Sequence, residues 1–294
     1  MTEDDAIDIR SYGLKSVNSM TKYPSIPTYH VVDSINHKIV EGSFAAPVKF
    51  PEGPVVVTEK INGTNARIVF TCKDYLIGSR EEFVYAKRDF IGDNRDGLIE
   101  ALRPVADRIV KWRKEHFSGI SRALGGDLKA AEKAVVVAYF EVYGGRINGH
   151  KQYTSSGEVG VRLFDVVVVE DADDMLKMEP ERLAVWRDRG GQRFMKFEEQ
   201  QAWARAMDIQ VVPELLTDGD GLQISDLASD SLSETLEKLR HFCDRSHVIL
   251  DQGAEGKPEG VVVRTSDRSV IAKLRIEDYE RSLGLQRGKP RMAR

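Results

Sequence analysis

The chain has few of the residues that staple or anchor a protein. Its two cysteines, Cys72 and Cys243, are far apart in 294 residues, with no Cys-x-x-Cys and no Cys/His cluster. A disulfide framework and a zinc site are therefore excluded as organising devices, and both thiols are expected to be reduced. The six histidines form neither His-x-His nor His-Glu-x-x-His, so ordinary surface or core histidines are expected. No apolar run is long enough to span a bilayer, and the acidic start Met1-Thr-Glu-Asp-Asp5 does not resemble a signal peptide. A cytoplasmic protein without membrane association is expected. Internal repeats, low-complexity tracts and flexible linkers are also missing.

What is present suits a soluble globular fold: 41% hydrophobic and 31% charged residues, in a chain long enough to bury a substantial core. The net charge of -4 argues against indiscriminate adhesion to a polyanion but leaves room for a local basic groove. From Arg281 to Arg294 the tail carries five basic residues and no acid. It is read either as a phosphate-contacting tail or as a solvated end.

The organising stretch runs from Val55 to Phe70. Val55–Val57 and Ala66–Phe70 are β-like runs, and Asn62-Gly63 between them is a strong turn signal, so a hairpin with Lys60 at a strand end is expected. A lysine held there points one way and suits a nucleophile, provided that its proton is lost. A solvated lysine beside a turn fits the same pattern, since Lys-x-x-Gly-x-Asn arises by chance in roughly one chain in twenty.

Around it, residues 1–22 are weakly patterned and expected to be poorly ordered. Two prolines discourage helix in Tyr23-Pro-Ser-Ile-Pro-Thr-Tyr-His30, and loops and edge strands are read up to Pro54. Short strands are expected at Tyr75–Arg80 and Phe83–Ala86, and a helix over Gly97–Phe117 that Pro104 kinks or restarts. Asp93–Gly97 reads as a turn, because the glutamate that ends a calcium loop is missing. Period-two alternation in Ala134–Val142 puts Val135, Val137, Tyr139 and Glu141 on one face. A carboxylate ending such an apolar strand is costly unless it faces a cleft. In Val159–Val169, Phe164 and Asp165 are expected on opposite faces.

Residues 170–258 read as a helical insertion. Pro180 suits a helix start, 196–207 a helix with Phe197, Trp203 and Ala204 inward, and Ser231-Leu-Ser-Glu234 a capping box before the stripe Leu232, Leu236, Leu239, Cys243. Asp218–Gly221 reads as a loop. Strands Gly260–Arg264 and Val270–Arg275 close the chain. Ile271, Lys273 and Arg275 share a face, and two adjacent cations there call for an anion, or else guard a sheet edge. Strands on both sides of the insertion predict one mixed α+β domain.

Taken in order, Lys60-Ile-Asn-Gly-Thr-Asn65, Arg80, Phe140-Glu-Val-Tyr-Gly144, Phe164, Glu259-Gly-Val-Val-Val-Arg264 and Lys273-Leu-Arg275 resemble the covalent nucleotidyltransferases. Within these the sequence is most similar to ATP-dependent RNA ligases of the phage T4 RNA ligase 2 type. Glu-Gly-x-Val-x-Arg alone arises by chance in about one chain in several hundred. The resemblance runs from about Tyr23 to Arg275 and implies an α+β nucleotidyltransferase (ATP-grasp-like) fold over residues 23–280, with mixed and antiparallel sheets flanked by helices.

It also implies roles. Lys60 attacks the α-phosphorus of ATP; Arg80 holds the ribose or the incoming 5′-phosphate; Glu141 binds a ribose hydroxyl and Phe164 stacks on adenine. Glu59 lies near the base edge, Asn65 belongs to the signature, Glu259 takes Mg2+ or Mn2+, and Lys273 and Arg275 neutralise phosphates. The implied substrate is RNA with 5′-phosphate and 3′-hydroxyl ends, joined by a monomer, with an end-healing enzyme or a separate RNA-binding protein as partner. DNA ligases, GTP-dependent capping enzymes and a non-catalytic RNA-end binding protein remain as alternatives.

Two departures stand out. Arg275 replaces the usual second lysine, a planar fork instead of a compact ammonium. Only 19 residues follow it, too few for an oligonucleotide-binding (OB) C-terminal domain. A substrate clamp is then expected from residues 1–50, the 170–258 insertion, the basic tail 281–294 or a partner.

Overall fold

The branched and aromatic runs form strands, and the apolar stripes form the helices that cover them. The computed structural model describes residue 9 and residues 11–45, 48–71, 74–87, 89–93, 97–115, 134–215 and 221–285. In chain order come α1 (Leu14–Thr21), β1 (His30–Val32), β2 (Ile39–Phe44), β3 (Val56–Lys60), β4 (Thr64–Phe70), β5 (Tyr75–Ser79), β6 (Phe83–Ala86) and β7 (Asp89–Phe90). There follow α2 (Leu98–Glu115), β8 (Val135–Gly144), β9 (Val159–Val169), α3 (Ala172–Leu176), α4 (Pro180–Asp188), β10 (Arg193–Phe194) and α5 (Phe197–Ala206). The last elements are α6 (Ile224–Leu227), α7 (Leu232–Phe242), β11 (Gly260–Arg264), β12 (Ile271–Arg275) and α8 (Ile276–Ser282).

Seven antiparallel strands in the order β10-β9-β8-β4-β5-β6-β7 form the larger sheet. Alternation sorts its side chains. Ile68, Phe70, Val136, Ala138 and Phe140 face α2, from which Leu102, Ala106 and Ile109 pack down. Val69, Val137 and Tyr139 face the opposite side, under Val17 and Met20 of α1 and Leu183 of α4. Each fully buried aliphatic side chain there contributes roughly 1.5–3 kcal/mol. Among the described residues no helix is long and apolar enough to cross a membrane.

A second antiparallel sheet has the order β12-β11-β3. Leu232, Leu236, Leu239 and Cys243 of the α7 region cover Val57, Val261 and Val263, as the stripe predicts. Ser231 caps α7, its side chain accepting from the Glu234 N–H. Burial pushes the Cys243 thiol up to about 12, so it acts as a core side chain.

The expected hairpin around Lys60 does not form. β3 pairs with β11, and β4 pairs with β5 and β8, so Lys60-Ile-Asn-Gly63 carries the chain from one sheet to the other. An Asn-Gly pair signals a change of direction without saying whether its flanking strands pair. Here the glycine is needed for close approach: a Cβ at Gly63 would lie 2.4 Å from the Val142 carbonyl oxygen. The Asn62 N–H donates to the Tyr153 hydroxyl at 2.6 Å, fixing the crossing.

Further readings change. The amino-terminal stretch read as poorly ordered contains α1, which buries Val17, Met20 and Thr21 against the large sheet. β9 carries one extra residue, Phe164: Asp165 pairs with Tyr139 and Leu163 with Phe140. This bulge turns Phe164 and Asp165 to the same side, whereas strict alternation separates them. α2 also runs through Pro104 as one helix. Cys72, residues 94–96 of the first turn, 218–220 of the second loop and tail residues 286–294 lie outside the described residues.

Candidate active site

Between the two sheets is a cavity of about 660 Å³, within the usual range for small-molecule sites. All nine residues singled out from the sequence line it. β3 delivers Lys60 at its end, and β11 delivers the partner: Gly260 pairs with Lys60, which puts Glu259 next to the amine. Lys60 Nζ meets Glu259 Oε2 at 2.6 Å, with the two side chains 24% and 14% exposed. Partial burial of this pair keeps water from screening it as it would a surface ion pair.

β12 supplies the cations. Ile271, Lys273 and Arg275 turn to the cavity while Ala272 and Leu274 are buried behind. Burial holds the Lys273 amine below its ordinary range, helped by the nearby charges of Arg275 and Lys60. Arg275 uses its fork on Asp278: Nε and Nη2 each donate at 2.7 Å, leaving Nη1 3.8 Å from Glu259. The replacement of lysine by arginine is thus matched by a carboxylate three residues on, at the start of α8.

On the large sheet, Asn65 of β4 sits opposite Glu141 of β8. Glu141 accepts from the Gly63 N–H at 3.1 Å. Burial pushes its carboxyl up to about 8; Lys60 opposes this and the charge of Glu259 adds to it. Among the described residues the buried Oδ1 of Asn65 has no hydrogen-bond partner, an acceptor left over at the cavity wall. Phe164 meets Tyr23 edge-on at 5.0 Å between ring centroids. Arg80 reaches the Ser25 hydroxyl at 2.8 Å with half its side chain exposed. Glu59 lines the cavity, but its carboxylate is engaged by the Ser246 hydroxyl at 2.5 Å and the His247 N–H at 2.8 Å. Burial raises that carboxyl, and those hydrogen bonds oppose the rise.

Sequence patterning missed the floor of the cavity. Asp165 is an ion-pair partner of Arg264 at 3.2 Å and of Arg268 at 2.6 Å, and accepts from the Tyr23 hydroxyl at 2.8 Å. Arg268 also lies 3.3 Å over the Phe194 ring. In the sequence Tyr23 stands out only by the prolines that follow it. Beyond it, the Tyr29 N–H donates to the Lys273 carbonyl and the Lys273 N–H to the Pro27 carbonyl. The proline-rich segment therefore straps β12 to the larger sheet.

This set places an amine, a carboxylate and two cations at one end of a cavity with an aromatic ring and an unpaired acceptor along its walls, which suits chemistry on a phosphorylated, ring-bearing ligand. Glu259, with Glu141 nearby, offers oxygens of the kind hard divalent cations take. Among the described residues no three His, Cys, Asp or Glu side chains gather, so ligand oxygens or water would complete any such shell.

Solved structures of a Naegleria gruberi RNA ligase resemble the chain at low identity. One mutant with ATP and Mn matches at 13% identity and a TM-score of 0.46, over 87% of this chain and 63% of that one. Another, with AMP and Mn, gives 13% and 0.46 over 87% and 62%, and the protein with PPi gives 14% and 0.43 over 90% and 64%. The chain thus spans less than two thirds of those proteins' length. No curated protein matches it by sequence. The RNA ligase family model matches residues 53–275, from just before β3 to the end of β12, and so the chain belongs to the RNA ligase family.

Proposed function

We propose that the protein is an ATP-dependent RNA ligase that works through a lysyl-AMP intermediate. Lys60 Nζ, once deprotonated, attacks the α-phosphorus of ATP. The N–P bond forms as the bond to the departing pyrophosphate breaks, and AMP stays on the lysine. An oxygen of an RNA 5′-phosphate then attacks the same phosphorus and frees Lys60, giving a 5′-5′ pyrophosphate end. The RNA 3′-hydroxyl attacks the 5′-phosphorus last, forming the phosphodiester and releasing AMP.

One observation carries this reading: the Lys60 amine lies in the cavity in contact with Glu259, beside Lys273 and Arg275. The two cations offset the negative charge that builds on the phosphates in flight. Phe164 offers a ring for the base, and Glu141 and Asn65 offer acceptors for ribose hydroxyls. Glu259 would hold Mg2+ or Mn2+ together with phosphate oxygens. When bound, the ion withdraws charge from those oxygens.

The test is incubation with ATP labelled at the α-phosphate. The chain acquires a covalent tag in Mg2+ or Mn2+, Lys60→Ala abolishes it, and 5′-phosphorylated RNA discharges it. An untagged wild type refutes the reading. Tagging by GTP instead favours capping, sealing of an all-DNA nick favours a DNA ligase, and RNA binding with neither tag nor ligation favours a non-catalytic end binder.

A further inference from the structure

Arg80 stands on the turn between β5 and β6, at the rim of the cavity, and two residues that do not line the cavity hold that turn in place. The first is Arg67 of β4, which is fully buried. Its Nη1 donates to the Arg80 carbonyl at 3.0 Å, its Nη2 donates to the Asn18 Oδ1, and its guanidinium lies 4.7 Å over the Phe83 ring. The second is Asn18 of α1, whose Nδ2 donates to the Glu81 carbonyl at 2.8 Å. Arg67 and Asn18 thus join β4, the turn between β5 and β6 and the amino-terminal helix at one point, beneath the residue that faces the rim.

Arg67 is an expensive way to fill that space. Among the described residues it has no carboxylate within ion-pair distance, and burial holds its guanidinium down to about 10. A buried charge without a counter-ion carries a desolvation cost that an apolar side chain of similar volume does not. Packing alone would therefore be served as well by methionine. What methionine lacks is the fork that holds the Arg80 carbonyl and Asn18 together.

Resting on the ligase reading above, we propose that Arg67 and Asn18 are positioning residues that set Arg80 for the 5′-phosphate end of the RNA. They act on the transfer of AMP to RNA and not on the reaction of Lys60 with ATP. α1 is then part of the RNA-handling apparatus. Arg80 is long and half exposed, and each rotamer it need not search on binding lowers the cost of engaging the phosphate.

The experiment compares Asn18→Ala and Arg67→Met, each alone and combined with Arg80→Ala. Self-adenylylation is measured with α-labelled ATP, and transfer of AMP from pre-labelled enzyme is followed over a range of 5′-phosphorylated RNA concentrations. Each single variant raises the half-saturating RNA concentration about tenfold, in line with losing a hydrogen bond to a charged group. Self-adenylylation stays within about twofold of wild type, and neither substitution adds a further loss once Arg80 is alanine. An unchanged RNA dependence, an equal loss of self-adenylylation, or losses that multiply with Arg80→Ala would overturn the proposal. If thermal melting shows Arg67→Met unfolded, Asn18→Ala, at a partly buried position, decides alone. A wild type that takes no label refutes the ligase reading and this proposal together, whereas a labelled wild type with unmoved RNA dependence refutes only this one.

Discussion

Lys60 ends β3 and Glu259 immediately precedes the antiparallel β11, where Gly260 pairs with Lys60, and their side chains close a 2.6 Å ion pair across the end of the cavity. The pair holds the amine in the cavity instead of letting it sample solvent. Glu259→Gln keeps the shape and removes the charge. Covalent labelling by ATP falls at least about tenfold, as expected when a preorganised charge is lost from a reacting centre. Labelling at the wild-type rate would show that the carboxylate is dispensable.

Glu141 makes stability depend on pH. Burial, more than the repulsion from Glu259, raises its folded carboxyl to about 8, against an ordinary value of 4.5. Between these values the folded chain holds a proton that the unfolded chain has released. The unfolded state therefore gains on the folded one as pH rises, and stability falls from about pH 4.5 to about pH 8. Below that window the carboxyl is neutral in both states and the effect vanishes. Glu141→Gln flattens this part of the curve in denaturant titrations of the nucleotide-free protein; an unchanged slope would assign it to other groups.

Gly63 tests the crossing between sheets. Alanine there would put a methyl 2.4 Å from the Val142 carbonyl and 3.0 Å from the Glu141 side chain, and backbone at that distance must move. Gly63→Ala lowers stability by about 2 kcal/mol, the ordinary cost of overpacking, and displaces Lys60 from Glu259. The check is a lowered urea midpoint together with lost labelling. Full stability with full labelling would mean that the crossing tolerates a side chain.

Much of this was legible because the signals were local. Branched runs located β3, β4, β8, β9, β11 and β12, and period-two alternation put Glu141 and the pair Lys273 and Arg275 on faces that the structure turns to one cavity. The rest depended on long-range facts. Asn62-Gly63 announced a turn, but only the pairing of β3 with β11 shows that the chain changes sheets there. The single extra residue at Phe164 shifts the parity of β9 and brings Asp165 into the cavity, and no alternation pattern reveals it. α1 offers only two turns with Val17 and Met20 as its apolar face, too little to stand out among polar neighbours.

Asp165 neutralises two arginines at once. Its side chain is 1% exposed, those of Arg264 and Arg268 are 4% and 8% exposed, and the Tyr23 hydroxyl donates to it as well. Asp165→Asn keeps the volume but leaves two buried guanidinium groups without a counter-charge. Removing one partner of a buried ion pair typically costs 3–5 kcal/mol, roughly what is expected here. Arg268→Met removes the second cation along with its carboxylate demand, and it leaves Asp165 paired with Arg264. In urea titrations the Asp165→Asn variant therefore unfolds well before wild type, Arg268→Met loses less, and the double variant recovers part of the Asp165→Asn loss. If the two losses simply add, Asp165 and Arg268 are not coupled, and the floor of the cavity is held by packing instead of charge.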